Sequence, residues 1–179
     1  MRILGIESSS LVASVAVVTD GVVTAEYTVN FKKTHSQTLL PMLDEIVRMV
    51  ELDLETVDAI AVSGGPGSFT GLRIGSATGK GLGLALKKPL IHIPTVDGMA
   101  YGMYGYGGLV CPIMDARRNQ VYTGIYDNRE GFTAVREQCA MDIDELVDEL
   151  NNMETRVVFL GDGVPVYSCL LYTSDAADD

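Results

Sequence analysis

The pattern of hydrophobic and polar residues at the start of the chain predicts three strands. Residues 2–7 form a short apolar run, and residues 11–18 and 22–29 are rich in valine and small residues. The turn signal Asp20-Gly21 separates the second run from the third. Such runs bounded by turn residues are typical of β-strands. Three antiparallel strands in sequence are the simplest arrangement.

Helical and strand patterns alternate after these strands. Apolar residues recur at helical spacing from Leu39 to Val50. We place the helix N-cap at Thr38, because Pro41 then falls in the first turn, where a proline removes no hydrogen bond. The elements predicted next are a buried strand at residues 58–62, a helix at 70–86, a strand at 90–93 and a short helix with its connector at 97–108.

The order of elements begins again near Leu109, as a weak internal repeat. We predict an α/β fold of two βββαβα halves, the second incomplete. In the second half Asp142 is the expected helix cap. Residues 169–179 show no regular pattern, and we interpret them as a non-native tail. The predicted division is 1–104 for the first half, 105–168 for the second and 169–179 for the tail. The second-half strands are predicted at 110–114, 121–126, 132–137 and 156–160.

Composition narrows the classes of function. With 179 residues, 47% of them hydrophobic, the chain can bury a core, which excludes disorder of the whole chain. Its formal net charge of −11 argues against this chain binding a nucleic acid on its own. No apolar run is long enough for a membrane span and no signal peptide is apparent, so we predict a cytoplasmic location. Three separated cysteines and two isolated histidines support neither disulfides nor a metal site: Cys111, Cys139, Cys169, His35 and His92.

A glycine-rich segment at residues 64–75 is the most informative stretch. It follows a predicted strand and opens a helix, so its backbone N–H groups could bind a phosphate. It lacks the spacing of a P-loop. Glu7 with Ser8, Ser9 and Ser10 could likewise face a nucleotide, although a polar hairpin turn explains them equally well.

Four glycines spaced four apart lie on one face of the predicted second helix: Gly71, Gly75, Gly79 and Gly83. Interior glycines cost about 0.5–1 kcal/mol each relative to alanine, so they indicate close approach of another backbone. The neighbour is either the chain's own sheet or a helix of another subunit. The sequence leaves both open.

Taken together, these motifs resemble the TsaB family, also called YeaZ. The resemblance covers about residues 1–168. It rests on Arg2-Ile3-Leu4-Gly5-Ile6-Glu7-Ser8-Ser9, on His35-Ser36-Gln37 leading to Leu40-Pro41-Met42, on the segment Gly64 to Gly75, and on Asp115-Ala116-Arg117 leading to Val121-Tyr122.

The resemblance implies an actin-like ATPase (ribonuclease-H-like) fold and a role in making N6-threonylcarbamoyladenosine in bacterial tRNAs. It implies a non-catalytic subunit that forms a heterodimer with the transferase TsaD, and TsaE is implied as a further partner. Whether this chain forms a homodimer in the absence of TsaD is left open. The expected contact with tRNA is through the complex only. TsaD holds its metal through two histidines on one helical turn, whereas here His35 is followed four residues later by Leu39. No catalytic residue, cofactor or metal is therefore expected on this chain alone, and ATP is used by the wider pathway.

The resemblance also implies that the first two helices form the pairing surface. The interface candidates carried over are Leu39, Leu43, Leu72, Gly75, Ser76 and Gly79. A bulky residue at Gly75 or Gly79 is then expected to disrupt pairing and leave the monomer folded. The alternative class of function is a small-molecule kinase or ATPase of the same fold. A peptidase has no support, because no Ser-His-Asp order is present.

Overall fold

The chain folds into two compact units, each built on its own mixed sheet. The structure is a computed structural model that describes residues 1–31 and 35–173. The first unit comprises Met1–Thr95 and the second begins at Val96. The boundary lies nine residues before the predicted one, which followed residue 104. Among the described residues no helix is long and apolar enough to cross a bilayer.

The first unit contains a five-stranded sheet in the order β3-β2-β1-β4-β5. Strands β1, β2 and β3 are antiparallel, whereas β1, β4 and β5 are parallel, with Leu4 opposite Ile60. The three predicted N-terminal strands are thereby confirmed. The elements are β1 (Arg2–Glu7), β2 (Ala13–Thr19), β3 (Val22–Val29), α1 (His35–Met49), a 3-10 turn (Leu54–Thr56), β4 (Ala59–Ser63), α2 (Phe69–Leu86) and β5 (Leu90–Ile93).

Helix α1 begins earlier than its pattern predicts. It starts at His35, so the prediction that Thr38 caps it is wrong, and Thr38 is a buried residue inside the helix. Pro41 consequently lies in the helix interior, where it removes a backbone donor. Leu39 and Leu43 pack in the core of the first unit, and this burial compensates for the proline.

Helix α2 is capped at both ends by local contacts. Ser68 is the N-cap, and its Oγ accepts a hydrogen bond from Gly71 N–H at 3.2 Å. Lys87 ends the helix in a left-handed conformation with φ of 55°. The predicted helix at residues 70–86 is confirmed to within one residue.

The second unit repeats the strand order of the first, and no counterpart of β5 is present among the described residues. Its sheet has the order β8-β7-β6-β9, and β9 is parallel to β6. The predicted second βββαβα half is confirmed, and Asp142 caps its helix by accepting from Asp144 N–H at 2.9 Å. The elements are α3 (Thr95–Tyr101), β6 (Leu109–Arg117), β7 (Gln120–Asp127), β8 (Thr133–Asp142), α4 (Ile143–Asn151), β9 (Val157–Leu160) and α5 (Val164–Thr173).

Helix α5 contradicts the expectation of no regular structure from residue 169 onward. It extends through Thr173, and Tyr167 and Leu171 are buried in the core of the second unit. These two side chains lie four residues apart, on one face of the helix. Residues 174–179 of the predicted non-native tail lie outside the described residues.

Candidate functional site

The serines after β1 and the glycine loop before α2 meet where parallel strands β1 and β4 end. Ser8 N–H donates to Ser63 Oγ at 3.2 Å, and Ser8 Oγ donates to the Gly71 carbonyl at 2.9 Å. Ser68 N–H donates to the Ser9 carbonyl at 2.6 Å. A Cβ on Gly67 would lie 2.3 Å from the Ser9 carbonyl oxygen. Only glycine permits this approach at position 67. Hydrogen bonds and close packing therefore hold the two loops together.

The acidic and hydroxyl groups considered for a nucleotide are engaged within the chain. Glu7 Oε1 accepts a hydrogen bond from Ser9 N–H at 2.5 Å and another from the Ser9 hydroxyl. Ser8 is fully buried and Ser9 is 3% exposed. These contacts favour the hairpin-turn interpretation over the kinase or ATPase alternative, which needs the same groups to face a ligand.

His35 lies at the start of α1 and joins this polar cluster. Its Nε2 is 2.7 Å from the Ser10 carbonyl, so Nε2 carries the proton and donates. Leu39, four residues later, is 1% exposed in the hydrophobic core. Within residues 1–31 and 35–173, no group of three or more His, Cys, Asp or Glu side chains could hold a metal ion.

The glycine face of α2 packs on the chain's own sheet. A Cβ on Gly75 would lie 2.1 Å from Ser8 Oγ, and one on Gly79 would lie 2.5 Å from Val62 Cγ2. The helix therefore approaches β1 and β4 more closely than any side chain would allow. Of the two neighbours that the sequence left open, the structure assigns the sheet.

The six interface candidates fall into two groups. Leu39, Leu43, Gly75 and Gly79 are buried within the first unit, where they hold α1 and α2 to the sheet. Leu72 and Ser76 are half-buried and line an open groove beside α2. Leu72 and Ser76 are thus the two candidates whose side chains are accessible to a partner.

Four large apolar side chains of α1 and α2 are exposed to solvent, and of these the sequence analysis included only Leu40, as part of the apolar face of the first helix. They are Leu40 (58% exposed), Met49 (74%), Phe69 (72%) and Leu84 (84%). Their positions in the sequence could have identified them, because each is a large apolar residue that lies outside the face of its helix that packs on the sheet. Large apolar side chains left exposed in this way indicate interaction surfaces when they form patches.

The groove beside α2 has a volume of 540 Å³ and lies between that helix and the edge strand β5. Phe69 stands at its mouth, with the Arg73 guanidinium 4.5 Å from the ring centroid. Lys80 and His92 contribute the other basic side chains. The full lining is Val62, Ser63, Gly64, Phe69, Leu72, Arg73, Ser76, Ala77, Lys80, Leu90, Ile91 and His92.

The cysteines differ in environment, which leads to a testable prediction. Burial raises the pKa of the Cys111 thiol to about 12, so this thiol stays protonated at pH 8. Cys169 is exposed on α5. We expect iodoacetamide at pH 8 to modify Cys111 at least about 100-fold more slowly than Cys169, because the thiolate is the reactive species. Peptide mass spectrometry over time measures both rates, and equal rates would contradict the buried placement of β6.

Comparison with known proteins gives consistent matches. The family model described as TsaD, tRNA N6-adenosine threonylcarbamoyltransferase, matches residues 22–176. The tRNA threonylcarbamoyladenosine biosynthesis protein TsaB of Bacillus subtilis is 34% identical over 163 residues, which are 90% of this chain and 71% of that protein. The protein of that name from Escherichia coli is 37% identical over 132 residues, which are 73% of this chain and 57% of the relative.

A solved structure agrees with these sequence matches. YeaZ from Pseudomonas aeruginosa superposes with a TM-score of 0.71 at 29% identity, covering 79% of this chain and 66% of that one. The two units with the same strand order agree with the actin-like ATPase fold that the resemblance to the family implied. By sequence identity over most of its length and by its fold, the chain belongs to the TsaB family.

Proposed function

We propose that this chain serves in the synthesis of threonylcarbamoyladenosine in tRNA, as a non-catalytic subunit that pairs with the transferase TsaD. The names of its relatives support the pathway. The observation that carries the pairing role is the set of large apolar side chains that α1 and α2 expose to solvent. The two helices pack against each other, so a partner that covers both could bury several of these side chains at once.

The helix that begins at His35 supports the non-catalytic role in this proposal. The resemblance implies that TsaD carries a second histidine one helical turn later, and here Leu39 occupies that place with its side chain in the core. His35 itself donates to the Ser10 carbonyl, so its ring supports the loop after β1. In this proposal the start of the helix contributes to the fold and not to a metal site.

In this proposal the exposed and buried candidates on the two helices have different tasks. Leu39, Leu43, Gly75 and Gly79 set the distance of the helices from the sheet. The half-buried candidates Leu72 and Ser76 contact the partner directly, together with the exposed apolar side chains. Leu84 is 84% exposed, and covering a leucine contributes about 1.5–3 kcal/mol.

Mixing this chain with TsaD tests the proposal. We expect a heterodimer with a Kd in the micromolar range or below, measured by sedimentation velocity. Leu84→Asp is expected to weaken it about tenfold or more, because the complex would then bury a charge. Val135→Asp is the matched control, since Val135 is 51% exposed on β8 of the second unit.

Two results would contradict the proposal. One is the absence of association at about 50 µM of each protein, well above the expected Kd. The other is equal weakening by both variants, because α2 would then have no particular role. The same experiment on this chain alone shows whether it forms a homodimer.

The remaining elements of the proposal concern the pathway around this subunit. TsaE joins as a further partner, ATP is consumed by the wider pathway, and no cofactor binds this chain alone. The complex acts in the cytoplasm and tRNA contacts it mainly through the other subunits. The net charge of −11 supports this last point, because affinity for a phosphate backbone comes from lysine and arginine.

A further inference from the structure

Strand β5 is the edge of the first unit's sheet, and one side of its backbone has no partner among the described residues. The carbonyls of Pro89 and Ile93 accept hydrogen bonds from Ile60 N–H at 3.0 Å and Gly64 N–H at 2.8 Å. Because the direction of backbone groups alternates along a strand, Leu90 and His92 direct their N–H and C=O groups away from β4. Such an edge can accept an additional strand.

The two faces of β5 have different chemistry. Leu90 points toward α2, since a Cβ on Gly79 would lie 3.1 Å from Leu90 Cδ1. His92 lies on the same face of the strand, over Gly64, where a Cβ would lie 1.8 Å from His92 Nε2. Because side chains alternate along a strand, those of Ile91 and Ile93 are directed to the other face, although Ile91 also borders the groove. They are 38% and 37% exposed. A strand added here would lie beside a groove on one face and beside isoleucines on the other.

The groove on the α2 side is basic. Arg73 and Lys80 line it, and no aspartate or glutamate does. Neither basic side chain has a carboxylate within 4.0 Å in the part of the chain that the structure describes. The groove is therefore locally positive on a chain whose net charge is −11. Charge complementarity therefore selects an acidic occupant.

We propose that an extended acidic segment of a partner protein binds in this groove by adding a strand to the free edge of β5. Its backbone pairs with Leu90 and His92, and its acidic side chains reach Arg73 and Lys80. Its alternate apolar side chains pack beside Ile91 and Ile93. Main-chain hydrogen bonds give such complexes their affinity, and alternate side chains give their specificity.

A second copy of this chain is a less suitable occupant. Pairing β5 with β5 would bring two grooves together, and each groove contributes Arg73 and Lys80 without an opposing carboxylate. Two chains of net charge −11 also repel each other at long range. The inference does not depend on pairing with TsaD, because its test uses this chain and a synthetic peptide.

The test measures fluorescence anisotropy of labelled octapeptides with the full chain. The probe alternates valine with glutamate, so that glutamates lie on the α2 face and valines on the isoleucine face. One control has lysine for each glutamate, and another carries N-methyl groups on alternate amides of the glutamate peptide. We expect the glutamate peptide to bind at least about tenfold more tightly than the lysine peptide. N-methylation is expected to weaken binding of the glutamate peptide about tenfold, because it removes main-chain hydrogen bonds.

Charge-reversal variants locate the binding. The pair Arg73→Glu and Lys80→Glu is expected to invert the preference, so that the lysine peptide binds more tightly. The matched control, Arg117→Glu with Arg118→Glu, makes the same change in net charge on the exposed β6–β7 turn of the second unit. It is expected to leave the preference for glutamate in place.

Amide NMR shifts provide the direct readout, with the largest changes expected at Leu90 and His92. Equal binding of the glutamate and lysine peptides would overturn the inference, as would no binding or unchanged affinity after N-methylation. Self-association of the chain through β5, seen as a concentration-dependent change in the same amides, would overturn it too, because the occupant would then be a second copy.

Discussion

Gly79→Leu is expected to lower the free energy of unfolding of the first unit by about 3 kcal/mol. A Cβ at this position would lie 2.5 Å from Val62 Cγ2 and 3.1 Å from Leu90 Cδ1. The larger side chain must push α2 away from β4, and overpacking of this kind costs about 1–3 kcal/mol or more. Urea unfolding followed by circular dichroism measures the change.

Gly81→Leu is the matched control on the same helix. A Cβ at Gly81 has nothing within 4 Å, and the residue is exposed. Leucine has the higher helix propensity, so this variant should be as stable as the parent chain or up to about 1 kcal/mol more stable. If Gly79→Leu instead folds like the parent and only loses association with TsaD, the glycine face serves a partner helix, as the resemblance to the family implied.

Leu171→Ala is expected to cost the second unit about 2–3 kcal/mol of unfolding free energy. Leu171 is 7% exposed and belongs to the core cluster formed with Ile143 and Leu146. Removing a buried leucine side chain loses its transfer free energy and leaves a cavity. Urea unfolding followed by near-ultraviolet circular dichroism, with six tyrosines at residues 101–167, measures this unit.

The neighbouring residue supplies the control for this prediction. Leu170 is 39% exposed on the same helix, so Leu170→Ala should change stability by less than about 1 kcal/mol. Equal stabilities for Leu171→Ala and the parent chain would mean that α5 contributes nothing to the core. The interpretation of residues 169–173 as a foreign tail would then regain its support.

The local sequence pattern was insufficient to predict the first residue of helix α1. The apolar spacing beginning at Leu39 and the presence of Pro41 both favoured a cap at Thr38. In the folded chain the His35 ring donates to the Ser10 carbonyl, a contact across 25 positions of sequence. That contact anchors the helix start to the loop after β1, and no local propensity encodes it.

Helix α5 was missed for a different physical reason. Its sequence, Val164 to Thr173, is apolar on most sides and gives no amphipathic pattern. The helix is defined by Tyr167 and Leu171, which fit the core formed by β6 and α4. Amphipathicity predicts only those helices whose opposite face is polar, and this one has no such face.

The sequence by itself determined the elements and their repeated order. The apolar runs before residue 30, the Asp142 cap and the glycine spacing each follow from local chemistry, and the structure confirms the strands, the cap and the helix that carries the glycines. The family resemblance likewise rested on motifs that are contiguous in the chain.

Only the tertiary structure decided what the glycine face approaches and which side chains remain for a partner. The spacing of the glycines, four residues apart, shows that one face of α2 has no side chains. What packs on that face depends on where β1 and β4 lie. Those strands are joined in the sheet by hydrogen bonds between residues far apart in sequence. The same long-range packing buries Leu39 and leaves Leu84 exposed, because burial depends on the position of a helix against its sheet.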